Sequence, residues 1–504
     1  MRNFSWKTAF WALVLFALIF RLFLLPYAKF ENETARDIAI SERILETGDL
    51  PLHGVLAEDG ADSQQQSFGP AYYYLIASFL FFNNSPYAAI LLVVVLSIVS
   101  CVICFYLTKR HFGERFAFWT SAFFVLSPWF FYFVSLNLMT PSVLVPFSML
   151  LLYSLMRIVV DGEDKHLALA AVASAIMLQI HLSSLMLIAS AFFVILISRR
   201  KALFSKKIVV PALLFLLLMT PYIVNSYQHD SWFNVFGFLQ NRYESTRFEN
   251  IRDSLGIPFM FTTTYFGRYL LGNESVFQSE LASYSFLTFD MVIALATLSG
   301  FFIVLLRTFG RSINNRERKR DLMILAWFAV PILISLLAGK NVSPHYMLVV
   351  YPAQFIFLYT FIERISKNLW LDSAVLSLAA VLIYVTFIII FWNFLSESMG
   401  TDGIYGIPIG AKIDVLEYLR TNSIDKILFY KYVKGEYKLL IDTKYPEINA
   451  KSISEIKNNQ TGYLLLDMYS RGNFAERQMK DHELEIVKQL KTAKIGKIEV
   501  VKLG

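Results

Sequence analysis

The sequence contains very little cysteine, which excludes a disulfide framework. Its two cysteines, Cys101 and Cys104, lie one helical turn apart within an apolar run. Such a pair can form a redox centre or half of a metal site, but there is no second cysteine pair and the nearest histidine is His111. A thiol in apolar surroundings usually behaves as an inert small hydrophobe. We therefore interpret both cysteines as packing residues.

Several motifs that carry chemistry are also absent. The chain has no Gly-x-Gly-x-x-Gly that opens a helix after a strand, no P-loop, no zincin His-Glu-x-x-His and no nucleophile elbow. Nucleotide-driven chemistry is therefore unsupported, and no soluble cofactor is indicated. We also find no internal repeat and no low-complexity linker, which weighs against the inverted-repeat transporter folds.

Charge is scarce as well, because only 17% of the 504 residues are charged while 56% are hydrophobic and 16% aromatic. This composition is too apolar for an average soluble domain, so lipid must surround most of the chain. The net charge of +7 could indicate a nucleic-acid partner, but the Lys and Arg residues lie between apolar runs. Membrane topology explains that placement first, and we expect no nucleic-acid partner.

The long apolar runs predict about eleven transmembrane helices, since some 20 apolar residues are needed to cross a bilayer. They lie at 8–29, 86–107, 116–135, 141–157, 167–181, 183–198, 208–225, 286–306, 321–338, 346–362 and 369–394. Only His181 and its neighbours separate the fifth run from the sixth. Arg21 lies deep in the first run and costs about 3 kcal/mol there if unpaired, so it should face protein or a polar cavity.

The distribution of basic residues predicts the orientation. If Met1 is cytoplasmic, the inner loops hold nearly all the loop Lys and Arg residues, namely Lys109, Arg110, Arg115, Arg157, Lys165, Arg199–Lys201, Lys206, Lys207, Arg307–Arg320, Arg364 and Lys367. The short outer turns hold almost none except Lys340. The positive-inside rule therefore places the N-terminus in the cytoplasm and the C-terminal segment outside.

Three longer segments remain outside the membrane, at about 30–85, 226–285 and 395–504. The first contains a helix-compatible stretch at 33–39 and an aromatic amphipathic stretch that begins at Pro70 and is too short to span. The last alternates helical patterns, near 411–420 and 474–489, with strand-like ones at 427–430, 463–466 and 498–501. We thus predict a transmembrane domain over 1–394 and a small extracytoplasmic α/β domain over 395–504.

Acidic and basic residues follow the first span directly. Glu33, Arg36 and Asp37 are spaced i, i+3 and i+4, so on a helix they share one face at the membrane edge. Two carboxylates and a cation form an acid/base candidate, and a solvated, salt-bridged helix start is the alternative.

Further polar residues gather on the same outer face. Lys340 and His345 bracket Pro344 before the tenth span, where an ammonium beside an imidazole suits a lipid-linked phosphate or pyrophosphate. Snorkelling of Lys340 to the headgroups is the alternative. His181 is interpreted either as a functional hydrogen-bond donor or as a loop residue that caps two short helices. The remaining candidates at helix ends are Tyr72, Tyr73, Asn137, Gln179, Arg242, Arg268 and Tyr346.

Taken in order, four segments make the chain resemble the GT-C fold glycosyltransferases that use polyprenyl-phosphate sugars, the group of protein O-mannosyltransferases and lipid A aminoarabinose transferases. They are the acidic loop Glu31–Asp37 with the glycine-containing turn Leu45–Gly54, the aromatic stretch Phe68–Leu75, Leu126–Pro128 followed by Asn137 and Pro141, and the Pro-containing late span His345–Pro352. The resemblance covers about residues 8–365, and each motif alone is weak.

The resemblance implies a membrane glycosyltransferase in a bacterial or archaeal plasma (inner) membrane that moves a hexosyl or pentosyl unit from a polyprenyl-phosphate donor to an extracytoplasmic glycan, lipid or protein. It makes Glu33 or Asp37 the catalytic carboxylate and gives Arg36 the role of aligning it or meeting phosphate. Lys340, His345, Tyr346, Arg268, Arg242, Tyr72, Tyr73, Asn137 and His181 would bind substrate or lipid phosphate. Many relatives have Asp-Glu where this chain has Asn32, which leaves open which acid is catalytic and whether a divalent cation is used.

Other classes remain open from the sequence. A transporter or flippase of lipid-linked saccharides also needs many spans, but it should carry charges near mid-bilayer in several helices, and Arg21 is the only clear one here. A polymerase or ligase acting on polyprenyl-pyrophosphate glycans shares the donor chemistry, and a larger central external loop would favour it. A nonenzymatic assembly protein is disfavoured by the acids and bases gathered on one face.

Overall fold

The computed structural model describes residues 5–54, 56–57, 66–67, 69–181, 183–203, 205–228, 247–265, 277, 279–310, 313–338, 344–398, 400–401, 405–423, 426–429, 434–444, 448–452, 462–467, 492–495 and 498–503. Every apolar run of the sequence that we assigned to a span is helical within these residues. The chain is therefore a polytopic α-helical membrane protein.

Within the described residues, the first half of the chain contains eight α-helices up to Leu203 and two short strands. These are α1 (Trp6–Phe23), α2 (Asn32–Thr47), α3 (Ala71–Leu80), α4 (Pro86–Phe112), α5 (Glu114–Leu126), α6 (Thr140–Val159), α7 (Leu167–Ile180) and α8 (Ser184–Leu203). Strands β1 (Leu56–Ala57) and β2 (Gln66–Ser67) pair antiparallel between α2 and α3. A π-helical segment, Trp129–Val134, extends the helical path of the third apolar run beyond α5.

The second half continues with α9 (Val209–Gln228), α10 (Arg247–Met260), α11 (Glu280–Phe309), α12 (Asn315–Ala338), a 3-10 segment (Pro344–Val350), α13 (Ala353–Leu369) and α14 (Ser373–Ser398). Among the described helices, seven are long and apolar enough to cross a membrane, and eight if the 3-10 segment and α13 count as one bent span. The other apolar runs form shorter or kinked helices, so length and hydropathy support seven or eight full-length spans in the described residues, where the sequence predicts about eleven.

The C-terminal region is α/β, as the sequence pattern predicts. It contains α15 (Ile409–Thr421), α16 (Lys434–Lys444), β3 (Lys426–Phe429), β4 (Asn449–Ser452), β5 (Gly462–Asp467), β6 (Thr492–Ile495) and β7 (Ile498–Leu503). The strands form one sheet in the order β4-β3-β5-β7-β6, parallel from β4 to β5 and antiparallel from β5 to β6. Strands β3, β5 and β7 coincide with the three strand-like runs, whereas the helix predicted at 474–489 lies outside the described residues.

Arg21 is completely buried in the first span, and its guanidinium is satisfied by protein. It donates to the Ser135 hydroxyl at 2.9 Å, to the Ala17 carbonyl at 3.1 Å and to the Val125 carbonyl at 2.6 Å. It also lies over the ring of Phe131, at 4.3 Å from the centroid. These contacts supply the partners that a charge at this depth requires, so Arg21 joins α1 to the segment that follows α5.

One end of the bundle carries a network of ion pairs. Asp161, after α6, accepts from Arg110 at 3.3 Å, Arg157 at 3.0 Å and Arg316 at 2.7 Å. Asp321 pairs in the same way with Arg307 and Arg320. These are basic residues of the loops that the sequence assigns to the inside. The candidate site lies at the opposite helix ends, where α2 and α3 pack outside the spans.

Candidate functional site

The candidate acids lie on α2, which a short connecting segment separates from α1 and which Gly48 caps at its C-terminal end. Gly48 adopts a φ of 74°, which suits glycine, and its N–H closes the last turn on the Ile44 carbonyl. Within the helix, Asp37 is only 4% exposed, whereas Glu33 is exposed to solvent. The two acids that share a face in sequence therefore occupy different environments.

Arg36 is the partner of Asp37. Its Nε and Nη2 atoms both approach the Asp37 Oδ1, at 3.1 and 3.0 Å. The guanidinium is half-buried, and it also feels the charge of Glu33. This contact orients the carboxylate.

The aromatic helix α3 covers the acid helix. Tyr72 and Tyr73, at its first turn, are buried and lie close enough to Asp37 to interact with it electrostatically. Burial raises the pKa of both phenols, so both stay protonated at neutral pH. The sequence predicts an interfacial aromatic stretch here, and the fold turns its first residues toward the carboxylate.

Gly69 sets how closely α3 approaches the spans. A Cβ atom added at this position would lie 2.4 Å from the Cγ of Gln179, at the end of α7. The side-chain amide of Gln179 in turn donates to the Leu218 carbonyl of α9 at 2.8 Å. The start of α3 is thus pressed against α7, two residues before His181.

The environment of Asp37 changes its acidity. Burial raises the pKa of this carboxyl to about 7, and the negative charge of Glu33 adds to the increase. Arg36 and the Tyr72 hydroxyl act in the opposite direction but do not cancel the effect of burial. A carboxyl with a pKa near 7 can accept and release a proton at neutral pH, which general base catalysis requires.

The acidity of Asp37 leads to a prediction for pH dependence. If Asp37 is the base, the charged form that accepts a proton predominates above its raised pKa, so the rate should rise as pH increases through about 7. The rate should fall about tenfold per unit well below that value. Rates measured between pH 5 and 9 on wild-type protein and on Asp37→Asn check this, because the variant should lose that limb. A wild-type rate that stays flat from pH 6 to 8 would contradict it.

A second polar cluster lies at the neighbouring helix ends. His181 ends α7, where its backbone N–H donates to the Met177 carbonyl. Its ring Nδ1 lies 2.8 Å from the Ser183 hydroxyl and accepts from the Ser183 N–H at 3.1 Å. Its ring centroid is 6.3 Å from that of His345 and 5.3 Å from that of Tyr346. His345 and Tyr346 begin the 3-10 segment before α13, with their rings 4.3 Å apart. The imidazole of His181 therefore lies close to the adjacent rings of His345 and Tyr346, which belong to a distant part of the sequence.

Lys29 adds a cation to this cluster. It is 5% exposed, forms a 2.8 Å ion pair with Glu31, and lies close enough to His345 for its charge to act on that imidazole. Its backbone pairs with Leu136 and bridges Asn137, whose side-chain Oδ1 is buried with no hydrogen-bond partner among the described residues. Glu31 precedes α2, so this cluster directly adjoins the acid helix.

Sequence reasoning missed Lys29, because a lysine next to an apolar run looks like an ordinary flank. A signal was available, since the short outer turns hold almost no Lys or Arg, whereas Lys29 follows the first apolar run directly. Three other sequence candidates, Arg242, Arg268 and Lys340, lie outside the described residues.

No group of three or more His, Cys, Asp or Glu side chains arranged to hold a metal ion occurs within the part of the chain that the structure describes.

Comparison with known proteins agrees with this architecture. Residues 67–224 match a family described as dolichyl-phosphate-mannose-protein mannosyltransferase. That match covers less than half of the chain. Among curated proteins, no sequence matches significantly.

Two solved structures resemble the whole chain. ArnT from Cupriavidus metallidurans in the apo state is 11% identical, with 99% of this chain and 98% of that chain covered and a TM-score of 0.56. The same protein bound to undecaprenyl phosphate is 14% identical, with the same coverage and a TM-score of 0.57. A weaker likeness to the oligosaccharyltransferase AglB from Archaeoglobus fulgidus, 12% identical, covers 86% of this chain and 64% of that one at a TM-score of 0.48, and it adds nothing to the fold assignment.

The chain is thus a multi-span membrane protein with the GT-C fold, as the sequence motifs predict. The likeness to ArnT includes the C-terminal region, which lies beyond the residues that carry the sequence resemblance.

Proposed function

We propose that this protein is a membrane glycosyltransferase that transfers a sugar from a polyprenyl-phosphate donor to an extracytoplasmic acceptor. The observation that carries the proposal is the buried carboxyl of Asp37, which Arg36 holds on α2. The segment that leads into α2 carries Lys29, which belongs to the cluster with His181, His345 and Tyr346. The cluster lies where the outer ends of the spans meet α2. A lipid donor needs its phosphate at that level while its chain remains among the helices.

Two findings support this choice of substrate. The matched family is described by a dolichyl-phosphate-mannose donor, and one of the similar ArnT structures contains undecaprenyl phosphate. Both are polyprenyl phosphates, which suit a cationic and hydrogen-bonding cluster at a membrane edge. The sugar is a hexosyl or pentosyl unit, and the acceptor is a glycan, a lipid or a protein.

The reaction is one displacement at the anomeric carbon. The Asp37 carboxylate takes the proton from an acceptor hydroxyl or amine, the acceptor atom bonds to the anomeric carbon, and the bond from that carbon to the phosphate oxygen breaks. The electron pair leaves with the lipid phosphate, and the sugar configuration inverts. Asp37 then returns its proton to solvent. The rate of transfer is increased by positioning of the two substrates, by the base and by stabilisation of the departing phosphate.

In this scheme the positively charged ammonium of Lys29 binds the lipid phosphate. The imidazoles and Tyr346 supply hydrogen bonds, and Asn137 offers its amide from the loop before α6. Arg36 orients Asp37, while Tyr72 and Tyr73 shield it from water. Lys340, Arg242 and Arg268 stay proposed donor ligands on the sequence resemblance alone.

We further propose that the protein lies in a bacterial or archaeal plasma membrane, with the site outside. The ion-pair end of the bundle, which includes Arg110, Arg157 and Arg316, would then face the cytoplasm. The N-terminus would lie in the cytoplasm and the α/β region outside.

The test is transfer of radiolabelled sugar from membrane polyprenyl-phosphate donors in vesicles. Wild-type protein is compared with a Glu33→Gln, Asp37→Asn double variant and with Asp49→Asn, an exposed acid of the same loop. We expect labelled product from wild type and from Asp49→Asn but none from the double variant. Label that changes leaflet without leaving its carrier would indicate a flippase, and label retained as lengthening pyrophosphate-linked chains would indicate a polymerase.

A further inference from the structure

A short segment of the C-terminal region, residues 405–412, runs alongside the chain that joins the first span to α2. The Tyr405 hydroxyl donates to the Tyr27 carbonyl, the Ile409 N–H donates to the Ala28 carbonyl at 3.0 Å, and the Lys412 ammonium donates to the Phe30 carbonyl at 2.7 Å. Pro408 also bridges Lys29 in antiparallel fashion. We call residues 405–412 the strap.

The joining segment is held from its other side by the loop before α6. The Lys29 N–H donates to the Leu136 carbonyl at 2.9 Å, and the Thr34 hydroxyl, in the first turn of α2, contacts the Leu138 carbonyl at 3.4 Å. The residues directly before α2 therefore lie between the loop before α6 and the strap. Removing either side would leave the start of the acid helix with one support.

Lys412 is unusually buried for a lysine. It is 2% exposed, and its ammonium lies 5.8 Å from the ring centroids of both Phe30 and Tyr437. Lysine is almost never fully buried unless paired, because removing its charge from water is costly. The Phe30 carbonyl and the two rings offset that cost, and together they join α15, α16 and the entry to α2.

The fit of the strap is also close at Gly410. A Cβ atom added there would lie 2.8 Å from the Pro26 carbonyl oxygen, too near for any side chain without displacement. Further along, α16 packs against α2. The acid helix is thus bounded by C-terminal residues at its entry and along its length.

We propose that the strap positions α2 for catalysis, with Lys412 as its main positioning residue, so that the C-terminal region is part of the catalytic unit. This inference rests on the proposed function. Lys412 is linked to the acid helix through the Phe30 carbonyl and the backbone that leads into Glu33, Arg36 and Asp37.

The experiment compares Lys412→Met with Lys438→Met, a change of the same charge at an exposed position of α16. A displacement near 1 Å can reduce a rate by about a hundredfold, so we expect kcat of Lys412→Met to fall by about ten- to a hundredfold. Because the strap also bridges Lys29 through Pro408, donor binding can change as well, so the positioning role is judged from kcat at saturating donor. Lys438→Met should behave as wild type.

The pH profile distinguishes positioning from a loss of folded protein. The groups that face Asp37 are Arg36 and Glu33 on α2 and Tyr72 and Tyr73 on α3, and burial among them raises its pKa to about 7. A loosened α2 would admit water and lower that pKa, so the midpoint of the acid limb should move down by about one unit. Less folded protein alone would lower the amplitude and leave the midpoint unchanged.

A labelling experiment tests the strap without relying on activity. Asp37→Cys places a thiol at a buried position, and the native Cys101 and Cys104 are completely buried. A membrane-impermeant maleimide should modify this cysteine at least about fivefold faster when Lys412→Met is also present, since local opening controls access. Tyr405→Phe, which removes only one hydroxyl, repeats the measurement if Lys412→Met does not fold.

The outcomes separate the two proposals. If wild-type protein transfers sugar but Lys412→Met and Tyr405→Phe keep its kcat, pH midpoint and labelling rate, the strap has no positioning role. If only the yield of folded protein falls, the strap is structural and the proposal is also overturned. If wild-type protein transfers nothing, the proposed function fails, and faster labelling would still show that the strap holds α2.

Discussion

Replacing Asp37 with Asn should reduce the transfer rate by about a thousandfold, within the range for loss of a positioned general base. The amide cannot accept the acceptor's proton but keeps the size of the side chain, so donor KM should change little. Asp37 is favoured over Glu33 because it is buried, paired with Arg36, and has a pKa of about 7 that matches neutral pH.

The comparison with Glu33→Gln decides between the two acids. Glu33 is exposed, so its removal should cost about tenfold or less, mainly by changing the field around Arg36 and Asp37. Initial rates in vesicles at pH 7.5 and saturating donor measure both variants, with Asp49→Asn as the control for an exposed acid. A larger loss in Glu33→Gln than in Asp37→Asn would move the base to Glu33.

Replacing Lys29 with Met should weaken donor use while leaving the acid intact. A hydrogen bond to a charged group contributes about 1.5–3 kcal/mol, so donor KM should rise by about ten- to a hundredfold. Met keeps the buried aliphatic stem and removes only the ammonium that pairs with Glu31. Transfer rates over a range of donor concentrations provide the measurement.

Two controls make the Lys29 result specific. Lys438→Met removes an exposed positive charge from the same outer region and should leave KM unchanged. Glu31→Gln removes the partner of Lys29 and should not raise KM, because the ammonium is then free to meet phosphate. An unchanged KM in Lys29→Met would exclude Lys29 from the donor site, and phosphate binding would have to come from other cations.

The membrane architecture follows from local sequence properties. Long apolar runs must be helical in lipid, because the backbone has no water to bond there, and each predicted run is helical in the described residues. The C-terminal strands β3, β5 and β7 could likewise be predicted from short strand-like runs of the sequence. The number of full-length spans was less predictable, since apolar runs also form the shorter helices that pack inside the bundle.

The candidate site could be predicted only in part from the sequence. Glu33, Arg36 and Asp37 are close in sequence, so helical spacing alone brings them together. Spacing could not show that Asp37 is buried and Glu33 exposed, because that difference depends on α3 and its packing against α7 through Gly69. His181 and His345 stood out as histidines at helix ends, but nothing in the sequence indicated that their rings meet.

The sequence by itself determined that this protein spans a membrane many times, has acids directly after its first span and ends in an α/β region. Those properties depend on residues near one another in the chain, where hydropathy and helical periodicity act. Only the tertiary structure decided that the charge of Lys29 acts on His345 and that burial gives Asp37 a pKa near 7. It also decided that the Lys412 ammonium donates a hydrogen bond to the Phe30 carbonyl. These features depend on burial and on contacts between distant segments, which only packing can create.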